Sequence, residues 1–236
     1  MSQWVFAGLK AGIVTTPYPR REDHAHGITP GRPRGGVVAS PEEIASHCPV
    51  GALAATGEGI TVDRGRCIHC PACRADIPWE ETYEWATVPP EAKEAEVERP
   101  FRRSLHVLVV DAGDCGACLS EVGQLNNPYY NMHRLGFFIT PTPRKADLLL
   151  LVGPMTEHMK LAVEKAYAAM PTPKRVMAVG TCAASGGIFG SSFVAGHGAN
   201  EVGSVDVVVP GCPPPPLAIL HGLLLVAGRA QEVVER

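Results

Sequence analysis

Four cysteines after residue 100 could bind metal, because each follows an apolar segment typical of a buried strand. They are Cys115, Cys118, Cys182 and Cys212. The first two are separated by two residues, the spacing of a metal-binding pair. If the preceding strands are parallel neighbours, their carboxyl ends share one edge of a sheet, where open α/β sheets bind ligands. The sequence therefore predicts that the four thiols converge on one site.

A second set of cysteines lies nearer the amino terminus and has the spacing of iron-sulfur ligands. It consists of Cys48, which precedes a proline, and of Cys67, Cys70 and Cys73. Bacterial ferredoxins carry two C-x2-C-x2-C-x3-C-P runs, and the fourth cysteine of each run ligates the cluster held by the other run. The four thiols here form the complete ligand set of one such cluster. We therefore predict a single 4Fe-4S cluster on this set.

The ligand positions of the second ferredoxin cluster carry other residues. Counting by the same spacing places them at Val38, Pro41, Ile44 and Ile77, and the proline after the last position is retained as Pro78. The thiols are thus missing as one complete set. The alternative for the remaining four is a structural zinc site, since C-x2-C pairs serve zinc equally well. The Cys-Pro step and the retained Ile77-Pro78 favour iron.

The composition predicts a globular chain and gives no argument for nucleic acid. Apolar residues make up 45% of the 236 residues and the net charge is -3,. Neither glycine-rich nucleotide-binding motif is present in the sequence. The apolar segments 148–152 and 218–227 are shorter than the about 20 residues of a membrane-spanning helix, and no secretory cleavage pattern is found. We expect a cytoplasmic chain whose cysteines bind metal instead of forming disulfides.

The elements that must position the first four thiols alternate between strand and helix after residue 104. The predicted strands are 105–110, 147–152, 175–179 and 205–209, and the predicted helices are 118–126, 157–170 and 216–229,. Continuous Val and Leu runs suit strands buried on both faces of a parallel sheet. The predicted fold is α/β, with a flavodoxin-like parallel-sheet domain at 104–236 preceded by a small ferredoxin-like (α+β) domain at 37–88.

Two further segments complete the predicted organisation. Residues 1–36 are rich in Pro, Gly and Arg and form an extended N-terminal arm with a short helix within 4–14,. This arm either lacks structure or orders against a partner subunit. Residues 89–103 are charged and contain prolines, which is typical of a solvated linker.

The order of the cysteines and the segments around them resemble the small, electron-transferring subunit of NiFe hydrogenases and the 20 kDa subunit of respiratory complex I. The resemblance covers 104–229 and rests on Cys115-Gly-Ala-Cys118-Leu-Ser-Glu121, Arg134-Leu-Gly136, Gly153-Pro154, Gly180-Thr-Cys182-Ala and Pro210-Gly-Cys212-Pro-Pro. The two-residue spacing of Cys115 and Cys118 is similar to that of the membrane-associated, formate hydrogenlyase-type branch. The amino-terminal part resembles a truncated form of the ferredoxin-like subunit of the same complexes.

The resemblance implies an electron-transfer subunit of a multisubunit NiFe hydrogenase-type oxidoreductase. It implies a 4Fe-4S cluster on the Cys115, Cys118, Cys182 and Cys212 set, and hence two clusters in the chain. The partners it implies are a hydrogenase-type large subunit that carries out the substrate chemistry, a ferredoxin-like carrier subunit and membrane-anchor subunits. Association with these would hold the chain at the cytoplasmic side of the inner membrane.

Other interpretations stay open at this stage. One is a complex I-like NADH/quinone oxidoreductase module without nickel, and another is an assembly scaffold in which both sets bind structural zinc. A thiol-disulfide oxidoreductase using Cys115 and Cys118 leaves the other thiols unexplained. Glu121 is predicted either to relay protons towards a partner or to sit in the first turn of a helix and favour its dipole.

Overall fold

The first 88 residues form only short elements, because proline and glycine interrupt them repeatedly. A computed structural model of the chain describes residues 3–93, 101–190 and 192–232. The elements in this part are α1 (Gln3–Ala11), β1 (Arg32–Pro33), β2 (Gly36–Val37), α2 (Pro41–Ser46), β3 (Leu53–Thr56), β4 (Gly59–Val62) and β5 (Trp79–Glu80). Strands β2, β4 and β3 form an antiparallel sheet in that order, and β1 pairs antiparallel with β5. The result is a small α+β module, the class predicted for this part.

The segment before this module packs on the same chain. Tyr18 is buried in the hydrophobic core of the carboxy-terminal domain, and its carbonyl accepts a hydrogen bond from the Arg134 guanidinium. The N–H of Thr16 donates to the carbonyl of Tyr129 at 2.9 Å. Helix α1, by contrast, buries none of its side chains. The predicted arm thus consists of an exposed helix and a segment docked on its own chain.

The carboxy-terminal domain is built on Val- and Leu-rich strands that can be buried on both faces. After α3 (Pro90–Lys93), the elements are β6 (Leu105–Asp111), α4 (Ala117–Gln124), β7 (Phe137–Ile139), β8 (Leu148–Val152), α5 (Glu157–Ala168), β9 (Arg175–Val179), α6 (Thr181–Ser185), β10 (Val207–Val209) and α7 (Pro216–Val226). The strands pair in parallel in the order β7-β6-β8-β9-β10. This is the flavodoxin-like order 2-1-3-4-5, which confirms the predicted fold class.

The core of this domain lies on both faces of the sheet. All five residues of β8 are buried, and ten of the eleven residues of α7 are buried, so the apolar segment 218–227 belongs mainly to a core helix. No helix in the described part of the chain has the length and apolarity needed to cross a lipid bilayer.

The other predicted helices and strands of this domain match within three residues at each end, and the clearest differences lie in three places. The sequence does not predict strand β7 or helix α6, because each is too short to show a periodic pattern. The predicted strand 205–209 begins only at Val207, because the Asp206 carboxylate instead accepts a hydrogen bond from the N–H of Val176 at 2.7 Å. Residues 94–100 of the predicted linker lie outside the described residues, and the domain boundaries stay predictions.

Candidate functional site

The large sheet places three cysteine-bearing segments along one edge. Cys115 and Cys118 follow β6, Cys182 follows β9, and Cys212 follows β10. Strand β8 lies between β6 and β9, so the Cys115 loop must pass over its end. A glycine permits this passage: Gly153 has a φ of 93°, and a Cβ there would lie 2.6 Å from the backbone nitrogen of Asp114.

Two carboxylates hold the loop that carries the first thiol pair. Asp111 Oδ1 accepts hydrogen bonds from the N–H groups of Gly113 and Asp114, at 2.8 and 2.6 Å. Asp114 Oδ2 in turn accepts from the N–H groups of Gly116 and Leu119, both at 3.0 Å. These bonds satisfy backbone donors at the start of α4, which have no partner within the helix. The loop therefore presents its thiols in a fixed geometry.

The four thiols are close enough to influence each other's ionisation. Burial is the largest cause that raises the pKa of the Cys118 thiol, which is 5% exposed; Asp114, Cys182, Cys212 and Cys115 raise this pKa further. Burial is also the main cause that raises the pKa of Cys182; the charge of Cys212 raises it further, and a hydrogen bond from the N–H of Ile188 lowers it. Burial, followed by the charge of Cys115, raises the pKa of Cys212. Four thiolates here would repel one another in a partly desolvated place, and a cationic centre would relieve this repulsion.

Two glycines bring backbone directly against thiols of this set. A Cβ at Gly180 would lie 2.5 Å from Cys118 Sγ, and a Cβ at Gly187 would lie 2.6 Å from Cys182 Sγ. Both glycines have a positive φ, which other residues rarely adopt,. The sulfurs thus lie in a cradle that any other side chain would fill, and soft thiolate donors in this setting suit iron-sulfur ligation.

The second set of thiols lies on loops of the small module. Cys48 follows α2, and its Sγ accepts a hydrogen bond from the N–H of Ala52 at 3.2 Å. Cys67, Cys70 and Cys73 lie on the loop between β4 and β5. Burial raises the pKa of Cys67 to about 11, opposed by the N–H of His69 and reinforced by the other three thiols. The structure therefore brings these four residues together as well.

A cavity of about 210 Å³ adjoins this set. Its lining includes Cys48, Cys70, Cys73, Ile44, His47 and Asp76. Beside it lie the positions at which a second ferredoxin cluster would have its ligands. Ile77 is buried with Leu53 and Ile60, and Val38 and Ile44 pack against them. Apolar contacts thus occupy the positions that the ferredoxin spacing assigns to the second set of ligands.

His69 is buried inside the cysteine loop. Its ring packs edge-on against Trp85 with centroids 4.4 Å apart, and burial, followed by the charge of Arg32, lowers its pKa to about 4. The Nδ1 atom of this ring has no hydrogen-bond partner in the described structure. The histidine is therefore a neutral packing partner next to the thiols.

Glu121 is the fifth residue of α4 and lies beyond its first turn, which contains no acidic residue. The predicted contribution to the helix dipole is therefore wrong, because that effect is confined to the first turn. Burial raises the pKa of this half-buried carboxyl, and the relay role stays a prediction.

Among the described residues, no group of three or more His, Cys, Asp or Glu side chains has the geometry of a single-ion site.

Sequence reasoning missed the side chains that connect the two thiol sets. Thr181 contacts the main chain of Cys67, 114 residues earlier. Trp85 Nε1 donates to the carbonyl of Pro210 at 2.9 Å. No periodicity or spacing links residues so far apart, although the position of Thr181 directly before a predicted ligand was a signal that it lies near the site.

Comparison with known proteins gives one family match. A family model described as "NADH ubiquinone oxidoreductase, 20 Kd subunit" matches residues 115–226. The matched range contains all four thiols of the sheet edge and none of those in the small module.

Three relatives illustrate the similarity. Formate hydrogenlyase subunit 7 of Escherichia coli is 34% identical over 140 residues, which are 59% of this chain and 55% of that protein. The probable membrane-bound hydrogenase subunit mbhJ of Pyrococcus furiosus is 37% identical over 133 residues, 56% of this chain and 80% of that protein. A NADH-quinone oxidoreductase subunit of Heliobacterium modesticaldum is 39% identical over 115 residues, 48% of this chain and 66% of that protein.

Proposed function

Because this chain belongs to the family of the 20 kDa subunit of NADH-ubiquinone oxidoreductase, we propose that it is an iron-sulfur electron-transfer subunit of a multisubunit, hydrogenase-type oxidoreductase. The observation that carries the proposal is the convergence of Cys115, Cys118, Cys182 and Cys212 at the carboxyl edge of the sheet. The raised pKa values of Cys118, Cys182 and Cys212 and the glycine cradle at two of the sulfurs support a 4Fe-4S cluster as the bound group,.

The second cluster in the proposal is held by Cys48, Cys67, Cys70 and Cys73. Its support is the ferredoxin spacing and the mutual influence of these thiols on the pKa of Cys67,. Backbone N–H groups of Ala52 and His69 act on the sulfurs of this set. Hydrogen bonds of this kind tune the reduction potential of a cluster.

Each cluster, when bound, accepts and releases one electron. The chain's own residues hold the ligands, exclude water from the buried sulfurs and keep the two sites at a fixed separation. Electrons would pass between a redox centre on a hydrogenase-type large subunit, the cluster at the sheet edge, the cluster of the small module and a ferredoxin-like carrier. Substrate chemistry would occur on the large subunit, and membrane-anchor subunits would hold the complex at the membrane surface.

A second candidate is a complex I-like module whose large subunit lacks nickel. The observation that favours it is the 39% identity to the NADH-quinone oxidoreductase subunit of Heliobacterium modesticaldum over 115 residues. The sequence of the neighbouring large subunit separates the two candidates, because a nickel centre needs two pairs of C-x2-C cysteines there.

The first test is the metal content of the purified protein. After anaerobic purification, iron, zinc and acid-labile sulfide are measured, and the low-temperature EPR spectrum is recorded after reduction with dithionite. About eight irons and eight sulfides per chain, the content of two 4Fe-4S clusters, are expected. Zinc without sulfide would instead identify a structural scaffold and overturn the proposal.

A lower iron content would show which set is wrong. About four irons correspond to one cluster, and the variants Cys48→Ser and Cys212→Ser then identify the set that binds it. The variant that loses the remaining iron carries the mutation in the true ligand set. If both sets bind clusters, each variant loses one and keeps the EPR signal of the other.

A further inference from the structure

One buried hydroxyl joins the two thiol sets directly. Thr181 Oγ1 donates a hydrogen bond to the main-chain carbonyl of Cys67 at 2.9 Å and accepts one from the N–H of Gly211 at 3.0 Å. The residue is only 1% exposed. Because a carbonyl only accepts and an N–H only donates, the two partners fix the direction of the hydroxyl proton. Thr181 is therefore held in one orientation between the small module and the sheet edge.

The partners of this hydroxyl are thiol-bearing residues or their direct neighbours. Cys67 belongs to the set of the small module, while Thr181 precedes Cys182 and Gly211 precedes Cys212 in the chain. The N–H of Thr181 also donates to the carbonyl of Gly211 at 2.9 Å. One oxygen atom thus connects a residue of the first set to the main chain beside two residues of the other.

Other contacts hold the same two regions together without involving a cysteine. Ser185 Oγ donates to the carbonyl of Gly65 at 3.1 Å. Trp85 donates to the carbonyl of Pro210 and packs against His69. These contacts orient the loops, but none of them is made by the main chain of a thiol-bearing residue.

We infer that Thr181 is the positioning residue for electron transfer between the two clusters, an inference that rests on the proposed function. Its hydroxyl fixes Cys67 against Cys182 and Cys212 and provides a hydrogen-bonded route between the two ligand sets. Electron tunnelling decays more slowly along covalent and hydrogen bonds than across an empty gap. One electron leaves the cluster that is oxidised and enters the cluster that is reduced, while Thr181 keeps its proton and its bonds.

The inference is tested on the full chain with both clusters bound, using three variants. Thr181→Val occupies similar space without a hydroxyl, and Thr181→Ser retains the hydroxyl. Ser185→Ala is the matched control, because it removes the hydrogen bonds that Ser185 Oγ donates to the carbonyls of Gly65 and Thr181 but leaves the Thr181 hydroxyl with both of its partners. Iron, sulfide and the midpoint potential of each cluster are measured for every variant. Electrons are then injected by pulse radiolysis, and their redistribution between the clusters is followed by freeze-quench EPR.

We expect T181V to lose the fast phase of redistribution, with iron content and midpoint potentials unchanged. T181S and S185A should both retain this phase. A T181V protein that keeps the fast phase would overturn the inference, and so would one that lacks a cluster, since the residue would then serve assembly. Loss of the phase in S185A would also overturn it. A wild-type chain without two clusters would instead refute the proposed function.

Discussion

The two thiol sets are built in opposite ways. In the small module, three of the four thiols share the loop between β4 and β5, and the fourth follows a six-residue helix. At the sheet edge, the thiols come from three segments that follow β6, β9 and β10 and meet only because these strands run in parallel. The first site is therefore determined largely by local sequence, whereas the second depends on the complete packing of a domain.

The supporting cores differ in the same sense. Only Leu53, Ile60 and Ile77 are fully buried in the apolar cluster of the small module. The sheet of the large domain has an extensive apolar layer on each face. A module with so small a core gains a larger share of its stability from metal ligation. The small module should therefore depend more on its bound cluster than the large domain does.

The largest effect is expected from Gly180→Ala, which should disturb only the sheet-edge site. The strained backbone costs about 1–3 kcal/mol, and the overlap of the new Cβ with Cys118 Sγ adds a cost of about 1–3 kcal/mol,. The iron content should fall by half while the EPR signal of the other cluster remains. The control is Gly123→Ala in α4, where a Cβ would have no neighbour within 4 Å. This variant should leave the iron content unchanged. Loss of both clusters in G180A would show that the sites are not independent.

The next effect is expected from Ile77→Ala, which opens a cavity in the core of the small module. Truncation of a buried isoleucine costs about 2–5 kcal/mol of stability, which is a large fraction of the stability that three buried residues can supply. The Cys48 set should lose its cluster at a lower urea concentration than in the wild type, as followed by visible absorbance and EPR. Val37→Ala is the control, because Val37 is 82% exposed. An unchanged urea midpoint for I77A would contradict the importance of this core.

Iron removal should reveal one protected thiol in each site. Burial is the main cause that raises the pKa of Cys67 from 9.0 to about 11, so its thiolate fraction at about pH 8 should be about a hundredfold lower than that of an ordinary thiol. Burial also raises the pKa of Cys118, so its thiolate fraction should be lowered as well. After chelation, iodoacetamide labelling followed by mass spectrometry should modify exposed Cys70 and Cys115 first.

Two controls define this labelling experiment. Raising the pH towards 11 should increase the labelling rate of Cys67, and guanidinium should make all eight thiols react alike. Rapid labelling of Cys118 in the native chelated protein would mean that the sheet edge opens without its cluster.

The smallest effect concerns the docked arm, which touches both regions through Asp23. The N–H of Asp23 donates to Tyr83 Oη at 2.8 Å, and Tyr129 Oη donates to the Asp23 carboxylate at 2.7 Å. Burial alone raises the pKa of Asp23, but hydrogen bonds from Thr16, Tyr129 and the N–H of Ala25 outweigh it and lower the pKa.

This lowered pKa predicts a loss of stability in acid. The contribution is present above the unfolded pKa of about 3.9 and is lost as the pH falls through the lower folded value. Asp23→Asn should remove this part of the pH dependence, measured as urea midpoints at neutral pH and below about pH 4. Glu22→Gln is the matched control at an exposed neighbour. Parallel curves for the wild type and D23N would contradict a role of this carboxylate in docking.

The fold of the large domain could be predicted because its strands are long apolar runs and parallel strands share an edge. The same rule predicts the convergence of Cys115 and Cys212. In the small module, the ferredoxin spacing predicts that Ile77 replaces a cluster ligand, but its burial with Leu53 follows only from the structure.

The contacts between distant segments could not be predicted. The docking of Tyr18 depends on residues far away in the chain, including Tyr83, which packs on its ring, and Arg134, which donates to its carbonyl. Thr181 and Cys67 meet only after both regions have folded. Such pairings leave no periodic signal, because each partner is an ordinary polar or apolar residue in its own segment.

The apolar contacts at the vacated ligand positions also shape the proposed circuit. At the positions of Val38, Ile44 and Ile77, which pack together here, a two-cluster ferredoxin would have ligands of a second cluster. In the proposed electron path the Cys48 cluster is therefore the last one, and an external carrier would have to come within tunnelling distance of it. The exposed Cys70 marks the side on which this set of thiols reaches the surface. The fit between an external carrier and this surface would therefore limit the rate of electron transfer through the protein.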